Sequence, residues 1–272
     1  MKRFFCLIIV LLAGFYLYAR YLGIKGLQTH EYNIMSEDIP NEFNGFTIAQ
    51  FSDFLYGGTT DIDTLSNLVD KINDYKPNVL VFTGDLIKSD YTLNEDEQNK
   101  IIEVLNKLNV EQNKFYILGD TDVDKEQIVT DVLNKSGFKL LNNTNELIFN
   151  KAISPIMIAG ISSFDKVNEA LYNETDAVYK IVLIHESDFA DKLVDYDINT
   201  IIAGHSLGGL VKVPFIGGII KQKNGEKYLD GSYQINDKIT LYTSNGIGTD
   251  KYPYRALNTP SFNIYRLYNK AN

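Results

Sequence analysis

The chain contains one cysteine and only three histidines among its 272 residues. Cys6 lies in the apolar N-terminal segment, so no thiol is present from residue 25 onward. This absence excludes disulfides, a cysteine nucleophile and a zinc-thiolate site from the folded part of the chain. Any metal site or catalytic base that uses imidazole must draw on His30, His185 or His205.

Positive charge is also scarce, because 26 Lys and Arg residues stand against 35 Asp and Glu residues, for a net charge of −9. Contacts to a phosphate backbone need clustered cations, so the composition argues against a nucleic-acid partner. The sequence has no internal repeat, Pro/Ser-rich linker or low-complexity tract. The part after the N-terminal segment, about 245 residues, suits one large α/β domain.

One long apolar run, residues 4–19, follows Lys2 and Arg3 and is interrupted by Arg20. It is about 24 Å long as a helix, and snorkelling of Arg20 extends the span to residue 24. We therefore predict a transmembrane signal-anchor in residues 1–24 and a domain in 25–272 that is held at the cell membrane, outside the cytoplasm. A cleaved signal peptide is the alternative, but Leu-Tyr-Ala at 17–19 is not a small-x-small cleavage site.

Apolar runs alternate with helical periodicity in the first half of the chain. The pattern predicts strands at 46–51, 79–83 and 115–118, with helices at 60–75 and 94–108 between them. Such a β-α-β-α-β order implies a largely parallel sheet covered by helices. The second half supplies strand candidates at 146–149, 156–161, 181–184, 200–203, 239–243 and 262–267. Many strands with few long helices between them predict two sheets packed face to face, with helices outside.

Acidic and imidazole side chains follow several of these strands, where functional groups of open α/β sheets collect. The candidates for a metal site are Asp53, Asp85, Asp120, His185 and His205. Such a mixed ligand set suits Mn, Fe or Zn, with Mg possible if oxygen ligands dominate. A single Asp after a strand is more often a turn residue or a helix cap. Asp122 and Asp124 precede the helical stretch 125–133, so capping is the default expectation for both.

Residues 201–210, IIAGHSLGGL, allow two interpretations. The stretch 204–208 matches G-x-S-x-G, the nucleophile elbow of α/β-hydrolases, which would make Ser206 the nucleophile. That elbow needs a following helix and a later histidine, whereas two glycines and Pro214 follow and no histidine lies beyond Ser206. Alternatively the stretch is a G-H-x-H metal loop with Leu207 at its second histidine. The ordered set of candidates favours the metal loop, and a serine hydrolase is the outlying alternative.

In order, the segments FSDF, FTGDL, LGDTD, LIHES and AGHSL resemble the five motifs of the calcineurin-like metallophosphoesterases. Those motifs are D-x-H, G-D, G-N-H-D, an isolated H and G-H-x-H. The likeness covers about residues 40–268, and the single apolar segment before them is similar to the bacterial membrane-anchored branch of the family. The resemblance implies a four-layer α/β/β/α sandwich and metal-dependent hydrolysis of a phosphoester, either a small molecule or a lipid.

The chain departs from the family at one of the two metal sites. Asp53 and Asp85 match the carboxylates of the first site, but Leu55 and Leu207 stand where the family has its two histidine ligands. Leucine cannot bind a metal, so the resemblance implies that the first site is empty or weak. The second site keeps four ligand positions, in which Asp120 replaces the family's Asn. We therefore expect one divalent ion rather than two.

The proton-donor position is also changed. Thr121 stands where the family has the histidine of G-N-H-D, and Asp122 keeps the position that would orient it. No confident catalytic residue remains at this motif, although Tyr56 or Glu186 could supply a replacement ligand or proton donor. Because single electrostatic groups contribute about 2.7 to 4 kcal/mol to such reactions, we expect hydrolysis to be weak. The alternative is an inactive family member that binds a phosphorylated ligand or an envelope partner.

Overall fold

The computed structural model describes residues 2–151, 153–173 and 177–270. Five α-helices lie within these ranges: α1 (Lys2–Leu17), α2 (Ile62–Tyr75), α3 (Glu95–Leu105), α4 (Glu126–Lys135) and α5 (Val167–Leu171). The first seven strands are β1 (Gln28–Ser36), β2 (Phe46–Phe51), β3 (Val79–Phe82), β4 (Asn113–Tyr116), β5 (Phe138–Leu140), β6 (Thr144–Ile148) and β7 (Ile156–Gly160). The others are β8 (Tyr179–Glu186), β9 (Thr200–Gly204), β10 (Lys212–Val213), β11 (Gly217–Gly218), β12 (Gly231–Gln234), β13 (Thr240–Thr243) and β14 (Ser261–Asn269).

The N-terminal helix is exposed along its length. None of the residues of α1 is buried, and a π-helical turn at Tyr18–Leu22 continues it to the folded domain. The resulting helix, Lys2–Leu22, is the one helix in the described chain that is long and apolar enough to cross a membrane. The apolar run at the start of the sequence therefore forms the helix that its composition predicted.

The first half of the chain builds a six-stranded sheet in the order β1-β14-β2-β3-β4-β5. Strands β2 to β5 run parallel, and α2 to α4 connect them, as the alternating pattern predicted. The apolar face of α2, which includes Leu65, Leu68 and Val69, is buried against this sheet. Asp61 and Asn94 cap α2 and α3 with hydrogen bonds to Thr64 N–H and Glu97 N–H.

The second sheet has the strand order β12-β13-β9-β8-β7-β6. Its four central strands are parallel, and the edge strands β6 and β12 are antiparallel to their neighbours. One face packs on the first sheet through residues such as Val81, Phe115 and Leu183. The other face packs on α5 and on the 3-10 turn Ser187–Leu193. With α2 to α4 outside the first sheet, the order of layers is α/β/β/α, which confirms the predicted sandwich.

The apolar pattern of the sequence did not predict β1, a strand that is stabilised mainly by its neighbour β14. β1 reads QTHEYNIMS, and Ile34 is its buried residue, so it has no continuous apolar run. It exists because all nine of its residues pair in parallel with β14. The strand predicted at 115–118 lies two residues earlier, because Asn113 and Lys114 pair with Val79 and Leu80 in the ladder.

A buried glutamine joins the two sheets close to their carboxyl ends. The Gln50 amide nitrogen of β2 donates to Thr83 Oγ1 and to the carbonyl of Ala203 in β9, both at 2.9 Å. Its amide oxygen accepts from Asn263 Nδ2 at 3.0 Å and from Tyr265 Oη at 2.6 Å. All four hydrogen-bonding positions of the side chain are filled, although it is fully buried.

We predict that Gln50→Leu lowers the free energy of unfolding by about 2 to 4 kcal/mol, because it leaves several buried polar groups without a partner. Denaturant unfolding of the full chain in detergent, followed by circular dichroism, measures the change. The exposed Gln127→Leu in α4 is the matched control and should change stability by less than about 0.5 kcal/mol. Equal stability of the two variants would contradict a structural role for the Gln50 network.

Candidate metal site

Residues at the carboxyl ends of strands from both sheets meet at one edge of the sandwich. Donor atoms of four of the five predicted metal-site residues lie within 4.8 Å of one another. This metal cluster consists of Asp85, Asp120, His185 and His205. Asp85 and Asp120 follow β3 and β4 of the first sheet, whereas His185 and His205 come from the ends of β8 and β9 of the second. The site therefore exists only when the two sheets are packed together.

Backbone carbonyls fix the orientation of both imidazole rings. His185 Nδ1 lies 2.7 Å from the carbonyl of Thr83, and His205 Nε2 lies 2.7 Å from that of Lys223. A carbonyl only accepts hydrogen bonds, so each of these ring nitrogens carries the proton. His185 Nε2 and His205 Nδ1 then face each other at 3.2 Å, and in neutral rings both carry lone pairs. Such a pair needs a cation or a proton between its members, and carbonyl-anchored histidines are typical of metal sites.

The two carboxylates approach the same pair of nitrogens. Asp120 Oδ1 lies 3.2 Å from both ring nitrogens, and Asp85 Oδ2 lies 3.3 Å from His185 Nε2. Burial lowers the pKa of His185, but Asp85 and Asp120 more than offset it and hold that pKa well above its ordinary value. Asp120 is 55% exposed and faces solvent, whereas the other three members are buried. This donor set fits a divalent ion, with two anionic and two neutral ligands.

Asp53 lies beside this cluster, but its carboxylate is engaged with backbone. Both of its oxygens accept from the N–H of His205, at 3.0 and 3.1 Å. Burial is the largest influence on its pKa, which is raised to about 6. The loops after β2 and β9 approach so closely that a Cβ on Gly204 would lie 1.9 Å from Ser52 Oγ. Asp53 therefore holds the His205 loop of the second sheet against the first sheet.

Asp122 has a role that the sequence did not reveal. Its fully buried carboxylate accepts from Asp85 N–H at 2.7 Å, Leu86 N–H at 2.9 Å and Gly119 N–H at 3.0 Å. Burial, followed by the charge of Asp85, raises its pKa to about 7. The capping expectation was wrong for both aspartates, because the N-cap of α4 is Lys125 and Asp122 makes no side-chain cap bond. The carboxylate instead joins the two loops that carry Asp85 and Asp120.

Thr121, at the position of the family's proton donor, has its hydroxyl occupied. The Oγ1 atom donates to the carbonyl of Ile87 at 2.8 Å, and the Thr121 N–H donates to Asp85 Oδ1 at 3.0 Å. A threonine hydroxyl does not titrate in the range of a general acid. Thr121 therefore supports the loop and positions Asp85.

Apolar packing surrounds Leu55 and Leu207, the two positions at which the resemblance implies histidine ligands. Leu55 and Leu207 are buried and pack with Leu210 and Ile220, and we call these four residues the leucine cluster. Leu55 and Leu207 keep positive φ angles of 53° and 50°, a region that leucine rarely adopts. The backbone of both loops is therefore strained at the two leucines. Among the predicted site residues, Asp53, Asp85 and His205 also have positive φ.

Ser206 has the contacts of a structural residue. Its hydroxyl donates to the carbonyl of Leu229, lies 3.3 Å from that of Ser244 and accepts from Gly208 N–H at 3.2 Å. A 3-10 turn at Leu207–Gly209 follows, where the hydrolase elbow requires an α-helix. These contacts argue against the serine hydrolase.

A cavity of about 330 Å³ opens beside Asp120 and His185. The apolar part of its wall comes from Leu118, Val123, Leu140, Leu141, Ile161, Phe164, Ile184 and Phe189, and polar groups form nearly as much of the surface. Glu126 and Glu186 also line it, so Glu186 lies where it could contact a ligand. Tyr56 packs instead near Phe54 and Tyr91 in the core between the first sheet and its helices.

Comparison with known proteins agrees with this geometry. The family model for the calcineurin-like phosphoesterase domain matches residues 46–209. The uncharacterized metallophosphoesterase YkuE of Bacillus subtilis (strain 168) is 32% identical over 260 residues, which cover 93% of this chain and 90% of that protein. Phosphodiesterase YaeI of Escherichia coli (strain K12) is 22% identical over 75% of this chain and 76% of its own length. A transmembrane protein with metallophosphoesterase domain from Danio rerio is 22% identical over 80% of this chain, which spans 52% of that protein.

The matched region begins at β2 and ends just after His205, so it contains every residue of the metal cluster. The family is one of phosphoester hydrolases, and its presence together with the Asp and His cluster indicates divalent metal binding. By its sequence match, its two-sheet sandwich and the order of its motifs, the chain belongs to the calcineurin-like phosphoesterase family.

Proposed function

We propose that this protein is a membrane-anchored metallophosphoesterase that binds one divalent ion and hydrolyses a phosphoester slowly. The observation that supports it most directly is the pair of facing ring nitrogens of His185 and His205, with carboxylates of Asp85 and Asp120 beside them. Two rings fixed by backbone carbonyls do not turn away from each other easily, so the arrangement is suited to a resident cation. Mn, Fe or Zn fit these ligands best, and Mg is possible.

A bound divalent ion would supply Lewis-acid polarisation of a phosphoryl oxygen and a water of lowered pKa. The residues around it would bind and orient the substrate. Asp120 is the exposed member of the cluster and also lines the cavity, so a phosphoryl group at the cluster could extend its ester group into that cavity. The carboxylates of Glu126 and Glu186 on the cavity wall disfavour a second anionic group there. These features support an ester with an uncharged, apolar alcohol part.

The slow rate follows from the first metal site. Asp53 and Asp85 are carboxylates of that site, but the leucine cluster fills the positions of the other two ligands. The side chain of Thr121, which donates to a carbonyl, does not replace the missing acid. Loss of an ion and of a proton donor removes two electrostatic contributions of about 2.7 to 4 kcal/mol each.

We further propose that residues 1–24 are a single-pass anchor and that residues 25–272 form the catalytic domain outside the cytoplasm. The exposed, apolar helix Lys2–Leu22 supports the anchor. A relative that is named as a transmembrane protein with a metallophosphoesterase domain is consistent with it. Such an anchor would confine the enzyme to substrates at or near the cell membrane, either lipids or small envelope molecules.

The second candidate function is a binding protein without catalysis, which would hold a phosphorylated ligand or an envelope partner. The leucine cluster and the Thr121 hydrogen bond favour it, because both remove groups that hydrolysis uses. Metal binding at Asp85, Asp120 and the two histidines is compatible with either function, so turnover decides between them.

We predict that the purified full chain binds about one equivalent of Mn²⁺ or Zn²⁺. His205→Ala should weaken this binding at least about 100-fold, because even the loss of a residue that only orients a ligand lowers metal affinity by about 10 to 100-fold. Metal analysis after dialysis and calorimetric titration measure both quantities. His30→Ala is the matched control, since His30 lies in β1 outside the metal cluster, and it should leave the affinity unchanged. A stoichiometry of two ions would contradict the single site.

We predict that Leu55→His combined with Leu207→His restores the first site, because both leucines line the same small cavity as Asp53 and Asp85. The stoichiometry should rise to two ions, and metal-dependent hydrolysis of an aryl phosphodiester should rise by about 100-fold. The matched control is Leu55→Gln with Leu207→Gln, which brings similar polarity without imidazole ligands and should give no increase.

The original chain should show slow turnover in the same assay, and Asp85→Asn should abolish it, because this carboxylate belongs to the metal cluster. Absence of metal-dependent turnover in the original chain, with no further loss on Asp85→Asn, would refute the enzyme and leave the binding protein. Folding of each variant is checked by circular dichroism, so that loss of activity is not confused with loss of structure.

A further inference from the structure

A short hairpin on this protein exposes large apolar side chains. β10 and β11 pair antiparallel, with Lys212 opposite Gly218, and residues 214–216 form the tip. Phe215 is fully exposed, and Ile216 and Ile219 are also exposed. Leu257, close to the hairpin base, adds to the same surface. Large apolar side chains grouped in this way on a protein surface usually mark a contact with a membrane or a partner.

The base of this hairpin contacts the end of the N-terminal helix. Ala19, in the π-helical turn after α1, is buried against Val211 and Ala256. The Arg255 N–H donates to the carbonyl of Ala19 at 3.0 Å, and the Lys212 N–H donates to the carbonyl of Ala256 at 2.9 Å. The hairpin and the helix end are therefore held together by backbone hydrogen bonds and by apolar packing.

This contact places the hairpin near the level at which the helix would leave a membrane. The residues of α1 are exposed, and Tyr18, Arg20 and Tyr21 in the following turn are types that favour the membrane interface. Phe215 lies four residues beyond Val211, which is at most about 13 Å of extended chain. The exposed tip is thus within reach of the same interface.

We propose that the hairpin tip, Pro214 to Ile216, inserts into the lipid bilayer beside α1 and acts as a second membrane contact. This inference rests on the proposed membrane anchor. The bilayer is the chosen occupant because the hairpin base is continuous with a helix of membrane-spanning length in which no residue of α1 is buried. Exposed Lys221 and Lys223 follow the hairpin directly in the sequence and would attract anionic headgroups.

The same hairpin is connected to the metal cluster. Its base residues Leu210 and Ile220 belong to the leucine cluster, and the carbonyl of Lys223 accepts from His205 Nε2. An inserted hairpin would therefore hold the site against the lipid surface. The substrate class that fits this placement is the phosphoester of a membrane lipid, whose ester group could reach the cavity beside Asp120.

The sequence has no tryptophan, so a single introduced tryptophan reports on its own surroundings. The full chain is reconstituted into vesicles of phosphatidylcholine with a minor fraction of phosphatidylglycerol, with or without brominated phosphatidylcholine. Three variants are compared: Phe215→Trp at the hairpin tip, Phe15→Trp within α1, and Phe149→Trp. Phe149 is exposed and follows β6 at the edge of the sandwich opposite the metal cluster, so it is the matched control.

We expect brominated lipid to quench the tryptophan at positions 215 and 15, with blue-shifted emission, and to leave that at position 149 unchanged. Quenching at 15 without quenching at 215 overturns the hairpin inference and leaves the anchor intact. No quenching at 15 or 215 overturns both the anchor and the inference. Equal quenching at all three positions indicates general adsorption to the vesicle and also overturns the hairpin contact.

Discussion

The metal site depends on one buried carboxylate, that of Asp122. By accepting three backbone N–H groups it fixes the loop of Asp85 and the loop of Gly119, which come from neighbouring strands. Hydrogen bonds of this kind help to maintain the positive φ of Asp85, a conformation that costs about 1 to 3 kcal/mol in a residue other than glycine. Asp53 has the same function between the sheets, where it holds the His205 N–H. Two carboxylates that are bound to backbone therefore determine where the ligand side chains meet.

The leucine cluster shows what this chain packs at the positions where the resemblance to the family implies two histidine ligands. A ligand set that lacks its ion leaves buried polar groups without compensation, whereas each fully buried leucine contributes about 1.5 to 3 kcal/mol. Leu55 and Leu207 thus contribute apolar packing where coordinating side chains would need an ion. The four donors of the metal cluster lie together beside this packing.

A strand or a site residue could be predicted from the sequence when the pattern that indicates it lies within a short stretch of residues. β2 was predicted with its observed bounds, because four of its six buried residues are apolar and lie within one short stretch. The order of strand-end Asp and His residues likewise indicated the family. The exposed strand β1 and the three backbone bonds of Asp122 depend on residues distant in sequence, so no local pattern revealed them. The hydrogen bonds of Asp53 to the His205 N–H likewise join residues far apart in the sequence, so they were not predicted.

One segment, residues 205–223, connects all of these features. It begins with His205 of the metal cluster, continues through Leu207 and the apolar hairpin, and ends at Lys223, whose carbonyl orients the ring of His205. Because the first and last residues are joined by a hydrogen bond, the segment is a closed loop with the ligand at its base and the exposed tip at its far end. Since the His205 N–H also donates to Asp53, this loop and the first sheet jointly determine the position of the ligand.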